Sequence, residues 1–285
     1  MSASVLFDAP GPKARMRHRI LTGVAALLLL GVAALVVMRM ADRGQLEYAL
    51  WEPFVTTSYV QFILEGLVST LQMAALSILF AVVFGAVFGI GKLSEITVVR
   101  WVSWLVVEFF RAVPVLLLMV FLFVAYALGD GPLSSFWCVV IALTLYNGSV
   151  LAEVLRAGIN AVPTGQTEAA YAIGLRRSQV VWLIQLPQAV RTMLPALISQ
   201  CVVALKDTSL GYYILAPGLT AVARPIYQEF GNHVPTAIVI TALYIIVNLI
   251  LTGFATWLEK RLSRARKATV VDDLSDSTNT AGPAV

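Results

Sequence analysis

The sequence predicts an all-α, polytopic membrane protein. Three observations carry this. Hydrophobic residues make up 59% of the 285 and charged residues only 13%, about half the charged share of a soluble domain. Mean hydropathy is +0.84. Apolar runs long enough to cross a bilayer recur along the chain with short polar connections between them. The same inventory excludes other classes. With 2 His and no His/Glu or Ser/His constellation, no catalytic residue is expected. The 2 Cys, Cys138 and Cys201, lie in apolar runs without CxxC spacing, so neither a disulfide framework nor a metal site is expected. The net charge of +4 sits in basic tails and does not interleave with exposed aromatics, so no nucleic-acid partner is expected; membrane lipid is.

Residues 1–19 form a basic tail, with Lys13, Arg15, Arg17 and Arg19. Ile20 to Met38 carries no charge and as a helix would be about 28 Å long, enough for a first span. A signal peptide is the competing reading, but the run is long for one and no small-residue cleavage site follows it. Residues 39–62 are a polar connection with Asp42, Glu47, Glu52 and Pro53. Gly66 to Ile90 is the second span, with Gly85 and Gly89 at the small-xxx-small spacing that lets another helix approach. The Gly91-Lys92 pair is not a phosphate loop, because Ala86 stands where that motif needs Gly and Leu93 where it needs Ser or Thr.

Thr97 to Phe110 is apolar but holds Arg100, Trp101, Trp104 and Glu108, as expected of a helix lying at the inner interface. Glu108 and Arg111, three apart, are placed to pair. Pro114 opens a third span over 113–128, and Gly129-Asp130-Gly131-Pro132 is an outer turn. The fourth span is 136–155, with Asn147 near its middle and Glu153 and Arg156 at its inner end. The fifth starts near Pro195. Counting along a helix puts Lys206-Asp207-Thr208-Ser209 near mid-bilayer, where Gly211, Pro217 and Gly218 prevent one continuous helix. Residues 208–233 then read as a broken helix and outer loop, 235–258 as the sixth span, and 261–285 as a polar tail expected to be disordered.

Residues 160–187 stand apart. Pro163, Thr164 and Gly165 are turn chemistry, Thr167 is placed to cap a helix start with Glu168 at its positive end, and Gly174 suits a stop or bend. The pattern Glu168-Ala169-Ala170, three residues, Gly174, nine residues, Ile184, one residue, Leu186-Pro187 resembles the coupling segment of the membrane-spanning permease subunits of ABC importers. The resemblance covers about residues 60–260. It implies a type I ABC importer transmembrane fold with a five-helix core, to which 20–38 adds an extra helix, six spans in all. It also implies that Gly165, Glu168, Ala169, Ala170, Gly174, Ile184, Leu186 and Pro187 serve coupling to a separate ATPase.

Glu108-Phe109-Phe110-Arg111-Ala112-Val113-Pro114, Ala152-Glu153-Val154-Leu155-Arg156-Ala157-Gly158 and Leu205-Lys206-Asp207-Thr208-Ser209-Leu210 resemble the branch that moves polar amino acids (His, Arg, Gln, Glu). The amino-terminal layout is most like that of actinobacterial glutamate permeases. One departure is Ala112, where the family often has Gly after the Arg.

Those resemblances imply the partners: an ABC ATPase homodimer, a second permease subunit or a second copy of this chain, and an extracytoplasmic amino-acid-binding protein. No cofactor is then bound by this chain, and ATP and Mg belong to the ATPase. The expected location is the bacterial plasma membrane, with both termini cytoplasmic. With the amino terminus inside, 16 of the 20 Lys and Arg fall in inner segments, as the positive-inside rule requires. Arg39, Arg43 and Arg224 fall outside and Lys206 within the membrane. Asn147, Lys206, Asp207, Thr208 and Ser209 are the substrate-path candidates, because polar groups at that depth face a cavity or a partner. Glu108–Arg111 and Glu153–Arg156 are inner-gate or structural pairs. The alternative function is an ion-coupled secondary amino-acid transporter, which would need neither the coupling segment nor an ATPase.

Overall fold

Length and apolarity decide the architecture before any packing does. The computed structural model describes the backbone of residues 11–279, and side chains to Trp257 apart from Pro12 and Ala255. Among them there are helices and turns but no strand. Five helices are long and apolar enough to cross a membrane, six with a bent pair counted as one.

Helix α1, Pro12–Asp42, begins inside the expected basic tail, with Pro12 at the first turn where its missing N–H costs nothing. Its apolar window is wholly exposed, Leu27 at 71%, as suits a helix surrounded by lipid. Residues 1–10 of the tail lie outside the described residues. The expected connection over 39–62 is shorter than the sequence suggests. It holds α2, Tyr48–Trp51, and a 3₁₀ turn, Glu52–Phe54. Helix α3, Thr57–Gly91, starts nine residues before the expected span. That extra length is used: Ile63 packs with Leu219, Val222 and Ile226, and Tyr59 Oη donates to Glu229 Oε2 at 2.8 Å.

Helices α4, Thr97–Ala112, and α5, Val115–Tyr126, meet at a bend of 97°. Val113 lies between them at φ −78°, ψ 125°, the extended region that a following proline imposes. Twelve residues give α5 only about 18 Å, so the third crossing is a broken one.

Helix α6, Ser135–Asn160, is the central element. A Cβ on Gly85 would stand 2.7 Å from Leu151 Cβ and 3.1 Å from Gly148 O, and one on Gly89 3.0 Å from Ala152 O. The α3–α6 crossing therefore requires those glycines, as their spacing predicts. Around α6 a core of Met73, Met119, Leu122, Val139 and Leu143 closes on α3 and α5. A second cluster, Leu155, Ile159, Ala189 and Met193, closes on α9, Leu186–Asp207.

After the surface helix α7, Thr164–Ala172, the chain runs through α8, Arg177–Gln179, a π-helical turn, Val180–Gln185, and α9 as one span from Arg177 to Ile214. This corrects the expected restart near Pro195. Pro187 follows closely on the π-helical turn, which takes up its missing N–H, and Pro195 is accommodated inside α9. A 3₁₀ segment, Thr208–Ile214, follows, then α10, Leu219–Phe230, and α11, His233–Asn279. The outer loop thus contains a helix, docked where Leu219 N donates to Thr70 Oγ1 at 2.8 Å. The tail expected to be disordered from 261 continues α11 as far as Asn279, since no Gly or Pro interrupts it before Gly282. Residues 280–285 lie outside the described residues.

Candidate functional site

Three groups of polar residues stand at different depths: a surface helix on the expected inner side, a charge cluster just above it, and a groove in the membrane.

The surface helix is α7. It begins at Thr164 with Pro163 preceding and no side-chain cap. Thr167 is therefore inside the helix rather than capping it, and Glu168 is mid-helix rather than at the positive end. Gly165 has nothing within 4 Å of where a Cβ would be, so its lack of a side chain is not forced by packing. Glu168 and Ala169 are exposed, and Ala170 is buried. Gly174 has φ +86°, the left-handed region that ends the helix and returns the chain to the bundle. Its N–H donates to Tyr171 O at 2.9 Å. Tyr171 and Ile173 stay exposed, Ile173 at 78%.

The clamp between α7 and the next span uses Thr167, expected only as a cap, and three glutamines to which the sequence assigns no role. Gln185 Nε2 reaches Thr167 Oγ1 at 3.4 Å, and Gln188 Nε2 donates to Gln166 Oε1 at 3.3 Å and to Ile184 O at 2.8 Å. Leu186 packs on the Leu155–Met193 cluster, while Pro187 is exposed.

The inner charge cluster joins both expected pairs through a residue read only as a failed phosphate-loop lysine. Lys92, its side chain 6% exposed, lies 2.6 Å from Glu153 Oε2 and 3.3 Å from Glu108 Oε1. Glu108 also accepts from Arg111 at 3.1 Å, and Glu153 from Arg156 Nε at 2.7 Å. Lys92 thus ties the end of α3 to α4 and α6. A cavity of about 520 Å³ lies against this cluster, lined also by Arg100, Trp101 and Trp104. The two tryptophans agree with an interfacial α4.

The structure divides the substrate-path candidates that the sequence places at mid-depth. Asn147 is buried; its Nδ2 donates to Leu143 O at 2.8 Å and its Oδ1 accepts from Gln200 Nε2 at 2.5 Å. It pins α6 to α9 beside a void of about 60 Å³ and does not share a cavity with Lys206. Thr208 is buried too, its hydroxyl committed to Leu205 O at 2.6 Å. Helix α9 ends at Asp207, where the sequence places the break. Lys206 and Asp207 form no salt bridge, and Lys206 and Ser209 line a common cavity. That cavity, about 550 Å³, runs between α9 and α11 past Thr241, Tyr244 and Asn248. It continues outward into a second of about 460 Å³, with which it shares Ser209, Thr220 and Thr241. There Tyr212 Oη lies 2.9 Å from Tyr227 Oη, with the Arg224 guanidinium 4.9 Å from the Tyr212 ring centroid. Sequence reading missed Asn248 and the tyrosines. Their only signal was that each is polar or amphipathic within or beside a span.

No group of three or more His, Cys, Asp or Glu is arranged to hold a metal among the described residues.

Residues 77–264 match the family described as binding-protein-dependent transport system inner membrane component. The chain is 43% identical over 237 residues to the glutamate transport system permease protein GluD of Corynebacterium glutamicum, covering 80% of this chain and 86% of that one. It is 31% identical over 211 residues to the arginine transport system permease protein ArtQ of Bacillus subtilis, covering 73% and 95%. Among solved structures, an amino acid ABC transporter with histidines is similar with a TM-score of 0.66 at 28% identity, covering 72% of this chain and 95% of that one. The inward-facing MetNI methionine ABC transporter, at 19% identity and TM-score 0.61, shares the fold.

Proposed function

Since the chain belongs to the family of binding-protein-dependent transport system inner membrane components, we propose that it is the permease subunit of an ATP-driven importer of a polar amino acid, glutamate first. The permease class follows from the family. The amino-acid reading draws on the 43% identical glutamate permease and on the arginine permease. On this reading the chain performs no chemistry of its own. A binding protein delivers the amino acid at the outer face, a separate ATPase dimer binds ATP and Mg, and a second permease subunit completes the path. Both termini are cytoplasmic, which places α7 on the side where the ATPase must be.

One observation carries the mechanism: α7 is exposed on its outer face yet clamped to the start of α9 by Gln185 and Gln188. A short helix with Ala169 and Tyr171 exposed, and Ile173 exposed just past its end, presents an apolar knob for an ATPase groove. A push on it passes to the Gln185–Gln188 turn and then along the 22 residues of α9, about 33 Å. That helix ends at the Asp207–Thr208 break, where Lys206 faces the groove. The Asn147–Gln200 bond makes α6 move with it.

The test is substitution at the bend. Gly174 holds φ +86° in open space, so a β-branched residue there is strained whatever the room. In Gly174→Val, uptake and binding-protein-stimulated ATPase activity should both fall by about tenfold or more at normal membrane abundance, as for a cost of roughly 1–3 kcal/mol at a strained φ/ψ. Gly165→Ala, unconstrained by neighbours, should retain both. Coupled activity at the wild-type level in Gly174→Val would refute the lever.

A further inference from the structure

The cavity beside the inner charge cluster carries cationic donors that the cluster does not use. Its wall holds three cations, Lys92, Arg100 and Arg156, against two carboxylates, Glu108 and Glu153. Both carboxylates are already held twice, Glu108 by Lys92 and Arg111, Glu153 by Lys92 and Arg156. Arg100 is left over. Among the described residues it forms no ion pair and a single hydrogen bond, from Nη1 to Ser94 O at 3.1 Å. Most of its N–H donors are therefore free. Arg156 bonds Glu153 through Nε and Nη2 and keeps Nη1. The Thr97 hydroxyl and the indole N–H groups of Trp101 and Trp104 belong to the same wall and are not hydrogen-bonded to any described residue.

What fills a cavity depends on what it opens onto. Helix α4 turns Ser103 and Val107 into the bundle. Its cavity face is Thr97, Arg100, Trp101, Trp104 and Glu108, at the spacing of one helical face. The next face round is Val98, Trp101, Val102, Leu105 and Phe109, all exposed, an apolar stripe with the same spacing. Trp101 belongs to both. A cationic hollow of about 520 Å³ thus adjoins a bare apolar stripe. Its depth is that of the helix ends: Lys92 follows the last residue of α3, and Arg156 lies four residues before the end of α6, about 6 Å. A soluble anion would use the hollow alone. A phospholipid uses both, its phosphate in the hollow and its chains along the stripe, as an interfacial amphipathic helix and a basic pocket between helices each allow.

We propose that this cavity binds the headgroup of an anionic phospholipid, with the phosphate on Arg100 and Arg156 and the acyl chains along the α4 stripe. Charge selects the class. Three cations against two carboxylates leave one positive charge on the wall, which a phosphatidylglycerol headgroup neutralises with its single negative one. A zwitterionic headgroup brings an ammonium as well, and each carboxylate is already held by two cations. The two indoles donate at the headgroup level, where tryptophan prefers to sit. A bound lipid covers the open side of the cluster through which Lys92 ties α3 to α4 and α6, so its binding raises the stability of that junction by mass action. The inference is independent of which solute the permease carries.

The test is lipid retention by the delipidated complex of the chain with its partner subunits. Phosphatidylglycerol or phosphatidylcholine is titrated in detergent and read by native mass spectrometry, with the thermal midpoint taken on the same samples. The wild type should retain phosphatidylglycerol about tenfold more tightly than phosphatidylcholine, and only phosphatidylglycerol should raise the midpoint. Arg100→Gln should weaken phosphatidylglycerol retention by about tenfold, the loss of a hydrogen bond to a charged group, and Arg100→Lys should recover part of it. Arg17→Gln, which removes the same charge from exposed α1, should change neither readout. An equal loss in Arg17→Gln would reduce the binding to diffuse attraction and overturn the site. Equal retention of the two lipids by the wild type, or unaltered retention in Arg100→Gln, would overturn it too. A midpoint rise from inorganic phosphate matching that from phosphatidylglycerol would give the hollow to a soluble anion instead. No lipid retained by the assembled complex would give the stripe to a neighbouring subunit, and the proposal would fall.

Discussion

Lys92 shows how one residue acquires a meaning that its neighbours in sequence do not disclose. Its ammonium sits between two carboxylates contributed by residues 16 and 61 positions away. With its side chain 6% exposed, it is a buried charge whose worth depends wholly on partners. Removing one member of a buried pair typically costs about 3–5 kcal/mol, because the other charge is left behind. Here each carboxylate keeps an arginine, Glu108 with Arg111 and Glu153 with Arg156, and Glu108 and both arginines are more than a third exposed, so the cost should fall below that range, at about 2–3 kcal/mol. Lys92→Met should therefore lower the thermal midpoint of the purified complex, and Glu153→Gln in that background should recover part of the loss. A midpoint unchanged in Lys92→Met would mean that the cluster does not brace α3 to α4 and α6.

At the scale of elements the packing of α3 on α6 is the most demanding contact. Gly85 and Gly89 meet the α6 backbone itself, Gly148 O and Ala152 O, at 3.0–3.1 Å from a hypothetical Cβ. Backbone does not yield as a flexible side chain would. Gly85→Leu should destabilise by at least about 1–3 kcal/mol, the usual range for overpacking. Gly23→Leu in α1, with nothing within 4 Å, should leave the thermal midpoint of the bundle where it was. Equal stability of Gly85→Leu and wild type would refute the close crossing.

This contact was legible in the sequence because small residues four apart carry their meaning locally. So was the bend at Pro114, the break after Lys206-Asp207 and the Gly174 turn. The restart assigned near Pro195 was not legible, because a π turn absorbs Pro187 into a helix already under way, and nothing in the local sequence marks that turn. The start of α3 at Thr57 was hidden for a different reason: Tyr59 and Ile63 are ordered by α10, some 160 residues on. Among the site residues, Asn147 was singled out for its depth, yet depth alone does not separate a helix clamp bonded to Gln200 from a group facing the groove. Asn248 carries the same sequence signal and has the opposite fate.

For the whole molecule, the arrangement is one of levers around α6. The exposed α7 is clamped to α9, α9 is bonded to α6 through Gln200 and Asn147, and α9 ends where the groove begins. Helix α1 stands apart, its apolar window exposed throughout, and makes none of these contacts. Such an arrangement suits a force applied at α7. The central claim is therefore that ATP, hydrolysed elsewhere, drives this chain. The measurement is uptake of labelled glutamate into proteoliposomes that hold the chain with its partner subunits and ATPase, with ATP supplied on the side of α7 and the binding protein on the other. The account predicts uptake that requires both ATP and the binding protein and is indifferent to proton or sodium gradients. Uptake driven by an ion gradient in the absence of ATP would contradict it.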